Sequence, residues 1–154
     1  MPHLRSPHRN EADALSTLCL RSKAVWGYDD TFMAACVDEL TITPETLEHS
    51  HFQVAEDDTG VIGVVQVEFD PQENEAELEL LYVDPDRMGT GAGRLLMHWA
   101  IDQARTSGAR RLIIVADPHA VGFYEYMGAT RIGDYPSGSI PGRMLPQLAI
   151  ELSP

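Results

Sequence analysis

Apolar residues along this chain recur first at helical spacing and then at strand spacing, and the change comes near position 50. From Glu11 to Lys23, Ala12, Leu15, Leu18, Cys19 and Ser22 share one side of a 3.6-residue repeat. Trp26-Gly27-Tyr28 breaks that pattern. A second helix is predicted from about Thr31 to Leu40, capped by Asp29 or Asp30, with Phe32, Met33, Cys36, Val37 and Leu40 inward. Thr43-Pro44 starts a short third turn, with proline at the first helical position. A short first strand, His3 to Ser6, precedes all of these.

The strand-like half begins with Phe52 to Glu56 and Val61 to Phe69, joined by the hairpin signal Asp57-Asp58-Thr59-Gly60. After a turn at Asp70 to Asn74 comes the strand Glu77 to Val83. Simple alternation places Glu77 and Glu79 on one face with Leu81 and Val83. Gly91 to Ser107 then reads as an amphipathic helix, with Ala92, Leu95, Leu96, Trp99, Ala100, Gln103 and Ala104 at helical spacing and Gly108 as its stop. Leu112 to Ala116 is a continuous apolar run, as expected of a strand covered on both faces. Strand, helix and strand together make a βαβ unit. Asp117 and Pro118 open a last helix, on which Ala120, Phe123, Tyr124 and Met127 share a face and Gly128 ends the pattern. Arg131 to Asp134 and Leu148 to Leu152 close the sheet around a long irregular loop, Pro136 to Pro146. The expected fold is a single α/β (α+β) domain over residues 1–154, a mixed twisted sheet with helices on both faces.

Composition narrows the function. The 154 residues carry a formal net charge of −13 with histidines neutral. That argues against nucleic-acid or anionic-membrane partners, because there is no excess of cations to displace counterions. It mildly favours a cationic substrate, or serves only to keep the surface solvated. The two cysteines, Cys19 and Cys36, fall on apolar helix stripes and read as reduced, buried side chains of a cytoplasmic protein. No Cys/His cluster has metal-ligand spacing, so no metal is expected. Met1 to Glu11 is polar, unlike a signal peptide. No apolar run approaches the roughly 20 residues that span a bilayer.

The richest local signal is Gly89-Thr90-Gly91-Ala92-Gly93, between a strand and a helix. Alternate glycines leave backbone N–H groups bare at a helix N-terminus, which suits a phosphate or pyrophosphate. The spacing is wrong for a dinucleotide-binding fingerprint: Arg94 or Leu96 stands where the third glycine is needed. A Gly-Lys-Ser/Thr ending is also missing, which excludes a Walker loop.

The segment Val83-Asp84-Pro85-Asp86-Arg87-Met88-Gly89-Thr90-Gly91-Ala92-Gly93-Arg94-Leu95-Leu96 resembles the acetyl-CoA-binding segment of the GNAT superfamily of N-acetyltransferases. Asp117 to Ala129, with Ala120, Phe123-Tyr124 and Gly128, is similar to that family's second signature. Met88 stands where the family has Arg or Gln, so backbone groups must carry most of the grip, and Arg87 or Arg94 can supply positive charge.

The resemblance implies direct acetyl transfer from acetyl-CoA to a primary amine, with a small molecule as the expected acceptor. A protein lysine or N-terminus is the nearest alternative acceptor, and a non-catalytic acyl-CoA-binding sensor the alternative function. It implies a cofactor site of Leu81, Val83, Met88, Gly89, Thr90, Gly91, Ala92, Gly93, Arg94 and Phe123, with the backbone N–H near Leu81 as oxyanion donor. Tyr124 aligns with the family's acid, whereas by pattern alone it reads as core. Glu77, Glu79 or a water chain would take the amine proton, with Tyr82 and His119 as weaker choices. Trp26 and Tyr28 fall where the family lines its acceptor site, and Arg143 could receive a substrate carboxylate. Trp-Gly-Tyr and Ser-Ile-Pro-Gly-Arg are shared with a subgroup of small bacterial members. A homodimer is a family-level expectation.

Overall fold

Local sequence signals set the helix starts in this computed structural model, which describes residues 1–152; Ser153 and Pro154 lie outside the described residues. Helix α1 spans Ala12–Ala24, α2 Asp30–Leu40 and α3 Pro44–His49. Asp29 caps α2 by accepting from Phe32 N at 2.8 Å, and Thr43 caps α3 by accepting from Thr46 N at 3.1 Å. Strands β1 (His3–Arg5), β2 (His51–Asp57), β3 (Gly60–Asp70) and β4 (Glu75–Val83) follow one another as antiparallel neighbours in the sheet. Helix α4 (Ala92–Thr106) carries the chain over to β5 (Arg111–Val115), which lies parallel to β4. A 3₁₀ turn at Pro118–Ala120 leads into α5 (Val121–Tyr126). The final pair, β6 (Thr130–Pro136) and β7 (Met144–Glu151), gives a seven-stranded mixed sheet in the order β1-β2-β3-β4-β5-β7-β6.

The closing strands are longer than their apolar patterns suggest. Their ladder runs on to Pro136↔Met144, which shortens the connecting loop to residues 137–143. Ser137 N donates to Arg143 O at 2.8 Å and ties its ends. Backbone pairing needs no apolar side chain, so pattern alone misses this extension.

Each face of the sheet has its own core. On one side Ala92, Leu96, Met97, Ala100 and Ala104 of α4 pack on Val65, Val67, Ala76, Leu78, Leu112 and Ile114. On the other, Leu15, Leu18 and Cys19 of α1 and Cys36 and Leu40 of α2 pack on Phe52, Val54, Val64 and Leu80. Both cysteines are buried and free, and burial pushes the Cys19 thiol up to about 12.

Strand β4 changes faces along its length. Gln66 of β3 pairs with Leu80 and Val67 with Leu78, so Glu79 is an extra residue, a β-bulge. Before the bulge Ala76 and Leu78 face α4. After it Leu80 and Tyr82 pack with α1, and Leu81 and Val83 pack toward α4. Glu77 and Glu79 therefore do not share a face with Leu81 and Val83, as strict alternation predicted. They lie on the α1–α2 side, beside Glu39 of α2 and Glu68 of β3.

Gly63 on β3 lets α4 close on the sheet. A Cβ there would stand 2.8 Å from Leu96 Cδ1 and 3.3 Å from Tyr82 O. Leu96 is fully buried and has no room to retreat. Gly63→Ala is expected to lower stability by roughly 1–3 kcal/mol in denaturant unfolding; an unchanged midpoint would show that α4 can shift freely.

Candidate active site

The site begins where β4 and β5 part. Their parallel pairing ends at Leu78↔Ile114. Beyond that point β5 stays with β7, through Val115↔Gln147, and Ala116 N donates to Pro146 O at 2.9 Å. Strand β4 stays with β3: Asp84 N donates to Ile62 O at 2.7 Å, between directly opposite residues. Hydrogen-bonded pairs alternate along an antiparallel ladder, so Tyr82 and Leu80 also bond to β3. The N–H and C=O groups of Leu81 and Val83 must then point into the gap toward β5. A cleft of about 460 Å³ occupies this gap, with Leu81, Val83, Ile114, Val115, Phe123 and Tyr124 among its walls.

The glycine loop closes one end of the cleft. Gly89 and Gly91 have φ of 83° and 90°, left-handed values that favour glycine. Gly91 is the N-cap of α4, and the first helical bond is Leu95 N to Gly91 O at 3.1 Å. Among the described residues, the N–H groups of Gly89 through Arg94 have no protein acceptor. Met88, Gly89, Gly91, Ala92, Gly93 and Arg94 line this end, together with Arg87. Thr90 turns away and donates its hydroxyl to Arg87 O at 2.8 Å. Gly93 lies against Phe123, where a Cβ would meet the ring at 3.6 Å. A row of free N–H groups between two arginines fits a pyrophosphate.

Tyr124, on α5, lines the cleft. It is 7% exposed, and its hydroxyl bonds to no protein group among the described residues. Its oxygen is not sealed off, so the hydroxyl opens on the cleft. Burial, and then the charge of Asp117, push its pKa well above the ordinary phenol value, which keeps it a proton donor. Glu79 lines the cleft on the other side, and Glu77 does not. Desolvation comes first in raising the Glu79 carboxyl to about 7; the hydrogen bond and charge of Glu77, then Glu68 and Glu39, add to it. A carboxyl poised there can take a proton at neutral pH.

Beyond Tyr124 the wall is organised by Asp117. Its carboxylate accepts the Tyr28 hydroxyl at 2.7 Å and His119 N at 2.9 Å, with His119 Nδ1 at 2.9 Å and Lys23 Nζ at 3.4 Å. Burial opposes the charge, but these partners outweigh it and hold Asp117 below the usual carboxylate range. Burial and the Asp117 bond push Tyr28 up to about 12. Arg143 donates to the Tyr28 hydroxyl at 2.9 Å, lies 4.0 Å from Asp117, and covers the stacked Tyr28 and Phe32 rings. Tyr28 and Arg143 thus stand together behind the cleft wall. Trp26, stacked on His119 with ring centres 5.0 Å apart, lines the cleft itself.

Two features carry no sequence signal. Spacing marks Asp117 only as a helix cap, although four side chains from three segments reach it. Ser22 sits on the apolar stripe of α1, 5% exposed, yet it lines the cleft. Among the described residues no group of His, Cys, Asp and Glu is placed to hold a metal ion, and no helix is long and apolar enough to cross a membrane.

The family profile described as acetyltransferase (GNAT) family matches residues 19–129, which include the splayed strand, the glycine loop and Tyr124. The chain belongs to this family. No curated protein matches the sequence. Among solved structures, the chain is similar to PaiA N-acetyltransferase from Thermoplasma acidophilum in complex with coenzyme A, at 15% identity and a TM-score of 0.76, covering 98% of this chain and 99% of that one. It is similar to a GCN5-related N-acetyltransferase from Rhodopseudomonas palustris, at 19% identity and a TM-score of 0.80, over 99% and 96% of the two chains. Nourseothricin acetyltransferase is 28% identical, with a TM-score of 0.62, over 68% of this chain and 66% of that one. This GNAT protein is therefore an acyltransferase of the acetyl-CoA-dependent kind, on the single-domain mixed α/β fold that its sequence pattern predicts.

Gly91→Val forces a β-branched side chain into φ 90°. The expected cost is about 1–3 kcal/mol in thermal unfolding without ligand, with coenzyme A affinity reduced at least about tenfold in calorimetry. Native-like stability and affinity in this variant would show that the loop adapts to a side chain.

Proposed function

We propose that this GNAT protein transfers the acetyl group of acetyl-CoA directly to the primary amine of a small molecule. The observation that carries this reading is the alignment of three parts along one cleft. Free N–H groups and Arg87 and Arg94 form one end, the unpaired edge of Leu81 and Val83 the middle, and Tyr124 and Glu79 flank the region beyond. Positive charge collects at the pyrophosphate end and a carboxylate faces the acceptor end. Nourseothricin acetyltransferase, 28% identical over 68% of this chain, is named for a small-molecule substrate, which supports the same class here.

The chemistry asks little of covalent catalysis. The edge of β4 orients the donor as an added strand, and the N–H of Leu81 supports negative charge on the thioester oxygen. Held in attack geometry, the neutral amine forms the new C–N bond and the C–S bond breaks. The amine proton goes to Glu79, directly or through water, and Tyr124 donates a proton to the departing sulfur. An alkylamine has a reference pKa near about 10.4, so removing its proton is a real task at neutral pH. Glu79, which borders the cleft with its pKa raised, is better placed for it than Glu77.

The pH profile follows from the Glu79 shift. Below pH 7 the carboxyl is protonated and accepts nothing, so kcat should climb as pH rises toward about 7 and then level off. Glu79→Gln should abolish that limb. Tyr124→Phe should lower kcat roughly 100-fold, with the KM for acetyl-CoA within about threefold. Thiol release followed across pH checks all three; an unchanged kcat in Tyr124→Phe would return Tyr124 to the core.

A further inference from the structure

Core packing does not place the turn between α1 and α2. No residue from Ala24 to Asp30 is buried, and Gly27 bends the chain at φ 88°. Yet this turn supplies Trp26 to the cleft wall. Its position rests on polar and stacking contacts, and these lead back to Arg143.

The contacts form one chain through Asp117, whose carboxylate serves a different segment with each oxygen. Oδ1 accepts from the backbone N of His119 and from its Nδ1, both at 2.9 Å. Oδ2 accepts the Tyr28 hydroxyl at 2.7 Å and lies 3.4 Å from Lys23 Nζ. An ionised carboxylate only accepts, so His119 Nδ1 carries its own proton and cannot take that of Tyr28, 3.3 Å away. His119 in turn stacks on Trp26, with ring planes 8° apart, and both rings line the cleft.

Arg143 reaches the same phenol from behind and does not itself line the cleft. It donates an N–H to the Tyr28 oxygen at 2.9 Å. A guanidinium has donors only, so it fills a lone pair of the phenol and leaves the O–H for Asp117. That N–H also polarises the phenol and strengthens its bond to the carboxylate. The guanidinium spreads over Phe32 as well, 4.8 Å from the ring centre. The loop that carries it is braced: Ser137 Oγ accepts from Ser139 N at 3.2 Å and Ile140 N at 3.0 Å, and Arg143 N donates to Ile140 O at 3.2 Å.

We propose that Arg143 is a positioning residue: through Tyr28 and Asp117 it holds Trp26 and His119 in place as one wall of the acetyl-CoA cleft, without touching substrate. This rests on the acetyl-transfer reading for what fills the cleft. It replaces the expectation that Arg143 receives a substrate carboxylate.

Trp26 reports on this arrangement directly. Trp26 and Trp99 are the two tryptophans of the chain, so in a Trp99→Phe background acrylamide quenching reads Trp26 alone. Arg143→Met removes the N–H groups and keeps apolar cover on Phe32. Tyr28→Phe removes only the phenol oxygen. Each change should raise the quenching constant of Trp26 toward that of free tryptophan. Each should also raise the Kd of acetyl-CoA roughly three- to tenfold in calorimetry. The double variant should match the single ones, because both cut the same chain of contacts. Wild-type quenching or wild-type acetyl-CoA affinity in these variants would overturn the proposal, as would losses that add in full in the double variant. If Arg143→Met does not fold, Tyr28→Phe carries both readouts. Failure of the wild-type protein to bind acetyl-CoA would remove the transfer reading and leave the quenching result to decide the role of Arg143.

Discussion

The parting of β4 from β5 after Leu78 is the constraint on which this molecule is organised. A sheet normally satisfies every interior backbone group, and an unpaired edge in its middle is costly unless something covers it. Here the opening is held from both sides. Strand β5 is kept by β7, strand β4 by β3, and α4 spans the gap from beneath. In the function proposed above, the exposed groups of Leu81 and Val83 are the template for an extended ligand with amide groups of its own. The cleft, the glycine loop and Tyr124 take their positions from that opening.

The bulge at Glu79 serves the same end. One extra residue turns the end of β4 over, so Leu81 and Val83 pack toward α4 while Glu79 stays with Glu77 on the α1–α2 side. A regular strand would put the Glu79 side chain on a common face with those of Leu81 and Val83. The bulge separates them; in the reaction proposed above, the donor and acceptor substrates then approach from different directions. Desolvation first, and then the charges of Glu77, Glu68 and Glu39 around it, let Glu79 hold its proton to about pH 7. Fold and proton chemistry are linked through a single backbone irregularity.

Much of this was legible in the residue pattern. The helix caps at Asp29 and Thr43, the hairpin before Gly60, the parallel strands joined by α4 and the bare loop at Gly89 to Gly93 all follow from local rules. What escaped was long-range or concerned with backbone alone. No period in the sequence announces a bulge, because the residue that makes it is an ordinary glutamate in an alternating run. The ends of β6 and β7 were invisible for a similar reason: Pro136 and Met144 pair through backbone geometry, not through an apolar stripe. Ser22 was legible as an inward residue of α1 but not as a cleft residue, since its surroundings depend on where α1 crosses β4. Arg143 and Tyr28 carried a recognisable loop and turn; their union over Asp117 appears only in three dimensions.

The measurement that bears most directly on this account is amide hydrogen exchange with and without acetyl-CoA. If the donor completes the sheet at the splay, the amides of Leu81 and Val83 should slow at least about tenfold on binding, together with those of Gly89 to Arg94. Protection confined to the glycine loop, with Leu81 and Val83 exchanging as freely as before, would contradict the claim that the parted strands form the substrate's binding edge.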